Sequence, residues 1–179
     1  MYGDVKEATP SNCPKPLVKE ADLQMSVDSD HATDKTTRRF RKGYFIYVNS
    51  ALVNWLSKKQ AKIETSMFGA EFVAMKQGME AVRGLRYKIR MMGVRISGPT
   101  YIYGDNMSVI HNKQRPESTL RKKPNLICYH AVRKLVAMGE FLTGHIPTAK
   151  TCADLHTKII PVGQKRDHLV GKLLFDIVD

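Results

Sequence analysis

Residues 23–28 read Leu-Gln-Met-Ser-Val-Asp, so that apolar and polar side chains alternate along the segment. A period of two places every second side chain on the same face of a β-strand, which predicts a half-buried strand. Asp28 then lies on the polar face, near the end of that strand. The ordinary explanation for such a residue is a turn that follows a strand, but an acid at the end of a core strand is also a candidate for chemistry.

Two further strand-like segments follow, at 43–49 (GYFIYVN) and 51–56 (ALVNWL), and both are rich in aromatic and β-branched residues. Because the connection between them is short, they predict an antiparallel hairpin. Trp55 is expected to be a core aromatic of this hairpin. The polar and basic stretch 29–42 predicts a turn region before it.

The rest of the chain alternates between helical and strand patterns. Apolar residues recur at three- and four-residue intervals along one stripe of residues 65–92, which predicts a long helix. The remaining segments predict a strand at 100–103, a short helix at 106–114, a basic loop at 115–125, a helix at 126–138, a strand at 140–146, a short helix opening at Thr151 and an amphipathic helix at 164–178. This order predicts a mixed α/β domain with a central sheet at 21–179. Residues 1–20 hold three prolines and no period, so we expect an irregular lead-in or linker.

The chain is strongly basic, with 29 Lys and Arg against 17 Asp and Glu and a formal net charge of +12. A positive surface attracts polyanions and binds nucleic acid through phosphate contacts, without reading sequence. A basic, well-solvated surface with no such partner would have the same composition. Charge alone therefore leaves nucleic-acid binding as one of two explanations.

The three cysteines, Cys13, Cys128 and Cys152, are odd in number and widely spaced. This pattern offers neither a disulfide framework nor paired zinc ligands, and it favours an intracellular compartment that keeps thiols reduced. No apolar run approaches the roughly 20 residues of a membrane span. We therefore expect a soluble intracellular protein, cytoplasmic or nuclear, with no membrane partner.

Four acidic residues occupy unusual places: Asp28, Glu71, Asp105 and Asp154. Asp105 could be a helix N-cap, and Asp154 could favour the positive end of a helix dipole. Glu71 interrupts the apolar stripe of the long helix, where an unpaired carboxylate would be costly, although a salt bridge would also explain it. A single role as ligands of Mg²⁺, which prefers carboxylate oxygens, would explain all four.

Six local motifs support that role, and in chain order they span about 140 residues. They are Asp28-Ser29-Asp30, Trp55 to Gln60, Thr65-Ser66 through Glu71-Phe72-Val73-Ala74, Tyr103 to Ser108, Tyr129-His130 with Arg133, and Ala153 to Lys158. From about Val18 onward the chain resembles the RNase H domain of Ty1/copia-type retrotransposon Pol polyproteins. The order Asp–Glu–Asp–Asp differs from the Asp–Asp–Glu order of integrase-type nucleases, which share the fold.

The resemblance implies an RNase H-like fold, whose five-stranded mixed sheet has three antiparallel strands and then two parallel ones. It implies that Asp28, Glu71, Asp105 and Asp154 bind two Mg²⁺ or Mn²⁺ ions and carry catalysis. The expected activity is a ribonuclease H-type endonuclease that hydrolyses the RNA strand of RNA–DNA hybrids during reverse transcription. The expected partners are the hybrid and the reverse-transcriptase portion of the parent polyprotein, and virus-like particles are a candidate location.

Residues around the acids complete the predicted site. Candidate contacts to the hybrid are Arg38, Arg39, Lys58, Lys59, Asn106, Ser108, Arg121, Lys122 and Lys123. His145 is a candidate for proton transfer, and Asp30 is a second candidate ligand in the first motif. The alternative function is a catalytically inactive nucleic-acid-binding remnant of a retrotransposon polyprotein with the same fold.

Overall fold

A computed structural model of the chain describes residues 20–30, 40–60, 67–105 and 123–173. The five strands are β1 (Leu23–Asp30), β2 (Arg41–Val48), β3 (Ala51–Lys59), β4 (Thr100–Gly104) and β5 (Phe141–His145). The helices are α1 (Met67–Met91), α2 (Lys123–Ala137), α3 (Asp154–Thr157) and α4 (Gln164–Gly171), with one turn of 3₁₀-helix at Thr148–Lys150. The predicted helix at 106–114 and all but the last residue of the lead-in lie outside the described residues.

The strands form one sheet in the order β3-β2-β1-β4-β5. The pairs β1–β2 and β2–β3 are antiparallel, whereas β4 runs parallel to β1 and β5 runs parallel to β4. The predicted mixed sheet of three antiparallel and then two parallel strands is therefore confirmed. Its central strand, β1, is hydrogen-bonded on one side to an antiparallel neighbour and on the other to a parallel one.

Several predicted boundaries differ from the structure. β2 begins at Arg41 and β3 continues to Lys59, because the hairpin pairing extends past the apolar residues into the basic ones. α2 begins at Lys123, so the last residues of the predicted basic loop are helical; Pro124 fits there, since the first turn of a helix does not need its N–H. The last helix ends at Gly171, and residues 174–178 of the predicted helix lie outside the described residues.

The core lies between the sheet and α1. Met25 and Ile46 on the sheet face Phe72 and Met79 on the helix, and all four side chains are fully buried. α2 packs beside α1, where the rings of Tyr129 and Phe72 meet edge to face, with 5.4 Å between their centroids. Aromatic pairs in this arrangement add to the stability from area burial. The long helix is thereby held across the sheet.

Trp55 is not in this core, and the prediction for it is wrong. Its side chain is 59% exposed. It lies on β3, the edge strand of the described sheet, opposite Phe45 of β2. An edge strand has a neighbouring strand on one side only, so a large side chain there gains less cover than the same residue in a central strand.

In the part of the chain that the structure describes, no helix combines the length and the apolar character that crossing a bilayer requires.

The close approach of α1 to β1 depends on Gly78. A Cβ at this position would lie 2.5 Å from Sδ of the buried Met25, whereas one at Gly84 of the same helix would meet nothing within 4 Å. We predict that Gly78→Val lowers the free energy of unfolding by about 1–3 kcal/mol through overpacking. The matched change Gly84→Val should alter it by less than about 0.5 kcal/mol, because valine and glycine differ little in helix propensity. Urea denaturation of both variants checks this, and equal midpoints would contradict the packing account.

Candidate metal centre

Two carboxylates meet at one edge of the sheet because β1 and β4 are adjacent and parallel. Asp28 lies near the carboxyl end of β1, and Asp105 directly follows Gly104, the last residue of β4. Parallel neighbours end at the same edge, so the pairing of these two strands places the two acids side by side. Asp28 is buried, with 1% of its surface exposed, and the Asp105 side chain is 15% exposed.

The third carboxylate comes from the helix. Glu71 lies near the start of α1, is 5% exposed, and accepts a hydrogen bond at Oε1 from the backbone N–H of Ser29 at 3.3 Å. This contact ties the helix to the end of β1. Asp28, Glu71 and Asp105 each offer one oxygen, and the three oxygens lie within 4.8 Å of one another. We call these residues the acidic triad.

Burial and neighbouring charges raise the affinity of Glu71 and Asp28 for protons. Burial, followed by the charges of Asp28 and Asp105, raises the pKa of Glu71 to about 8. Burial also raises the pKa of Asp28 to about 6, although a hydrogen bond from Thr157 and the charge of Lys158 oppose that shift. Both causes penalise the ionised carboxylate. The triad is therefore a place where negative charge is costly without a cation.

The donor set of the acidic triad fits a hard divalent cation. Mg²⁺ and Mn²⁺ prefer carboxylate oxygens, and Mg²⁺ is commonly held by one or two carboxylates together with waters and substrate phosphates. Three converging carboxylate oxygens, two of them on buried side chains, supply such a set and gain from the charge that the ion brings. Asp28, Glu71 and Asp105 are thus the residues that would hold an ion.

Asp154 lies in the same region, but it comes from a different element and has different partners. It opens the short helix α3 and is fully buried. Its Oδ1 accepts a hydrogen bond from Nζ of Lys158 at 2.7 Å, and its Oδ2 accepts one from Nζ of Lys165 at 2.9 Å. The Lys158 ammonium also lies 3.5 Å from Oδ2 of Asp28 and 3.7 Å from Oδ2 of Asp105. Asp154 is thus joined to the triad through a lysine.

Three neighbours of the acids had no role assigned from the sequence, although two of them, Thr157 and Lys158, belong to the last of the six motifs. Thr157 donates a hydrogen bond to Oδ2 of Asp28, and Thr148 donates one at 3.2 Å to Oδ2 of Asp105. Lys158 contacts Asp28, Asp105 and Asp154. The spacing of Thr157 and Lys158, three and four residues after Asp154, was a usable signal, because such positions share one face of a helix.

The other predicted site residues fall into two groups. Lys58 and Lys59 are exposed at the end of β3, Asp30 ends β1, and His145 is exposed at the end of β5, paired in register with Gly104. The second group lies outside the described residues: Arg38, Arg39, Asn106, Ser108, Arg121, Lys122 and the side chain of Lys123. The structure therefore gives strand positions for the first group and leaves the second group as predictions.

Comparison with known sequences finds relatives among transposon polyproteins. The chain is 29% identical over 136 residues to the retrovirus-related Pol polyprotein from transposon RE1 of Arabidopsis thaliana, and 25% identical over 139 residues to that from transposon TNT 1-94 of Nicotiana tabacum. These matches cover 76% and 78% of this chain. The chain spans only 9% and 10% of the lengths of those proteins. No protein-family model matches it.

Solved structures with the same fold are RNase H domains. The N-terminal RNase H domain of a Mycobacterium tuberculosis protein superposes with a TM-score of 0.58 at 11% identity, covering 86% of this chain and 96% of that one. The chain is therefore similar in sequence to transposon Pol polyproteins and in fold to RNase H domains. The LC11-RNase H1 in complex with an RNA/DNA hybrid superposes on this chain with the same TM-score, 0.58, at 13% identity, covering 76% and 94% of the two chains. The resemblance inferred from the six motifs is confirmed.

The raised pKa values predict how stability depends on pH in the absence of divalent ions. Glu71 binds a proton more tightly when folded than at its ordinary pKa of 4.5, so the folded state is penalised as pH rises from about 5 to about 8. We predict that the free energy of unfolding falls over this window by on the order of a few kcal/mol. Glu71→Gln should remove most of that fall and be more stable than the wild type at pH 8.

Thermal denaturation in a chelating buffer at several pH values checks this prediction. The matched control is Glu80→Gln, which removes an exposed carboxylate of the same helix that pairs with Lys76. Exposed pairs of this kind contribute little, so the control should keep the pH dependence of the wild type. An E71Q variant that is less stable than the wild type at pH 8 would contradict the electrostatic account.

Proposed function

We propose that the chain is a divalent-metal-dependent ribonuclease H-type endonuclease that hydrolyses the RNA strand of RNA–DNA hybrids. The observation that carries this proposal is the convergence of Asp28, Glu71 and Asp105 at the carboxyl ends of two parallel strands. These are three of the four acids in the Asp–Glu–Asp–Asp order read from the sequence. The fourth, Asp154, lies next to them across Lys158.

The residues of the site have separate tasks in this proposal. Asp28, Glu71 and Asp105 hold the ion, and its binding stabilises the ionised form of the two acids whose pKa is raised. A divalent ion bound there would activate a water, orient the scissile phosphate and neutralise charge that develops on its oxygens. Thr157 and Thr148 orient Asp28 and Asp105 through their hydroxyl groups. The products would be a 3′-hydroxyl and a 5′-phosphate.

A basic edge beside the acids would hold the hybrid. Lys42 pairs in register with Ser29 of β1 and with Lys58 of β3, and Arg41 pairs with Asp30 and Lys59. Four cationic side chains therefore lie across the β2–β3 hairpin, next to the strand end that carries Asp28. Lys and Arg contact phosphates without reading base sequence, which suits an enzyme that must act along any hybrid. The net charge of +12 supports the same role.

The relatives support a biological setting for this activity, namely a transposon polyprotein. They are Pol polyproteins of transposons, and a structural neighbour was solved with an RNA/DNA hybrid bound. We propose that the chain acts beside a reverse-transcriptase portion of a parent polyprotein and removes the RNA template after copying. An intracellular location, in the cytoplasm or nucleus and within virus-like particles, fits this role.

Hybrid cleavage tests the enzymatic proposal. Purified chain incubated with a labelled RNA–DNA hybrid should cut the RNA strand with Mg²⁺ or Mn²⁺ and should stop cutting when the ion is chelated. Asp105→Asn should lower the rate by roughly 10²-fold or more, the typical loss when one preorganised electrostatic group is removed. Glu80→Gln, far from the acids, should leave the rate unchanged. If the chain binds the hybrid but never cuts it faster than D105N, it is the inactive nucleic-acid-binding remnant.

Hybrid binding tests the basic edge independently of cleavage. We predict that Lys58→Gln weakens binding similarly for all sequences and lowers the slope of log affinity against log salt by about 1. The control is Lys88→Gln, which removes an exposed lysine near the other end of α1 from Glu71. Fluorescence anisotropy with chelator present measures both variants. Equal slopes for K58Q and the wild type would rule out a phosphate contact by Lys58.

A further inference from the structure

The four acids form two overlapping groups of three. The acidic triad combines Asp28 and Asp105 with Glu71, and its oxygens lie within 4.8 Å of one another. The second group combines the same Asp28 and Asp105 with Asp154, and these three carboxylates are the ones that the Lys158 ammonium contacts, at 2.7–3.7 Å. In the described part of the chain, no ammonium group contacts all three acids of the first group. The Lys158 ammonium contacts all three acids of the second group.

We propose that the Lys158 ammonium fills the second cation position of this site, so that the chain binds one divalent ion, at the acidic triad, rather than two. This inference rests on the proposed function, because it assumes that the triad binds an ion. It lowers the expected number of ions to one, from the two that the sequence resemblance implies. It also assigns a role to a residue that touches three of the four acids.

The charges at the site balance with one divalent ion. When all four carboxylates are ionised, as a bound ion favours, they face two ammonium groups, those of Lys158 and Lys165, which leaves two negative charges in this described cluster. One Mg²⁺ or Mn²⁺ cancels them. A second ion next to Lys158 would add two positive charges within a few ångströms of an ammonium, and like charges at such distances repel strongly in a partly buried site.

The backbone fixes Lys158 in this position. Its N–H donates to the carbonyl of Asp154 at 2.9 Å, which closes the single turn of α3. The preceding residue, Thr157, is hydrogen-bonded to Asp28. The backbone at Lys158 and the preceding residue are therefore hydrogen-bonded to two of the acids that the Lys158 ammonium contacts. A lysine ammonium is a compact point charge with three donors, which suits contact with three separate carboxylates.

The Lys158 side chain also remains accessible from solvent. It keeps 30% of its surface exposed while its ammonium contacts three carboxylates. An ammonium group beside Asp154 would bring positive charge to the scissile phosphate without any metal at that position, which makes Lys158 a positioning residue for the phosphate.

Counting bound ions on the full chain tests this inference. Isothermal titration calorimetry with Mn²⁺, supported by the electron paramagnetic resonance signal of free Mn²⁺, should give one ion per wild-type chain. Lys158→Met, which keeps the length of the side chain but removes its charge, should give two. Lys165→Met is the matched control: this lysine contacts Asp154, and no contact with Asp28 or Asp105 is described for it, so the count should stay at one.

The outcomes separate this inference from the proposed function. Two ions on the wild-type chain, or a single ion on a folded K158M variant, would overturn the role of Lys158 and leave a metal-dependent site intact. No ion on either chain would overturn the proposed function itself. If circular dichroism shows that K158M does not fold, the neutral variant Lys158→Gln takes its place, and the wild-type count alone still decides between one ion and two.

Discussion

The site depends on the parallel pairing of β1 with β4. Antiparallel neighbours would carry Asp28 and Asp105 to opposite edges of the sheet, but parallel ones end together. α1 crosses the sheet from this edge and contributes Glu71, which the backbone of Ser29 holds in place. Everything else at the site, from the hydroxyl groups of Thr148 and Thr157 to the Lys158 ammonium, is arranged around oxygens that this pairing brings together.

Such an arrangement works against the folding of the ion-free chain. Two acids of the triad, Asp28 and Glu71, are almost fully buried. Their raised pKa values indicate that the fold makes their ionised forms unfavourable. The apolar contacts between α1 and the sheet, including the close approach at Gly78, supply stability elsewhere. Strain of this kind, held by a rigid core, is a common property of sites whose ligand removes it on binding.

Much of this could be read from the sequence, for identifiable reasons. Period-two alternation revealed β1 and placed Asp28 on it, and Glu71 stood out because a carboxylate interrupted an apolar helical stripe. Local patterns of this kind carry over into the fold because they reflect which face of an element is buried. The mixed sheet and the resemblance to an RNase H domain followed from the order of the elements and motifs.

Other features could not be read in this way. Trp55 resembles a core residue by type, but its burial depends on whether another strand lies beyond β3, which no local pattern reveals. Lys158 contacts residues 28, 105 and 154, and the first two of these lie far from it in the sequence. The sequence showed four acids and could not show that a lysine lies between three of them. Only the three-dimensional structure shows that each carboxylate oxygen of Asp154 accepts a hydrogen bond from an ammonium group.

The central claim is that three carboxylates form one divalent-metal centre. A crystal of the chain soaked in Mn²⁺, with anomalous diffraction recorded at a wavelength where manganese scatters strongly, tests it most directly. The account predicts an anomalous peak bounded by carboxylate oxygens of Asp28, Glu71 and Asp105. Anomalous density that is absent there, or a Mn²⁺ ion bound elsewhere while these three side chains point apart, would contradict it.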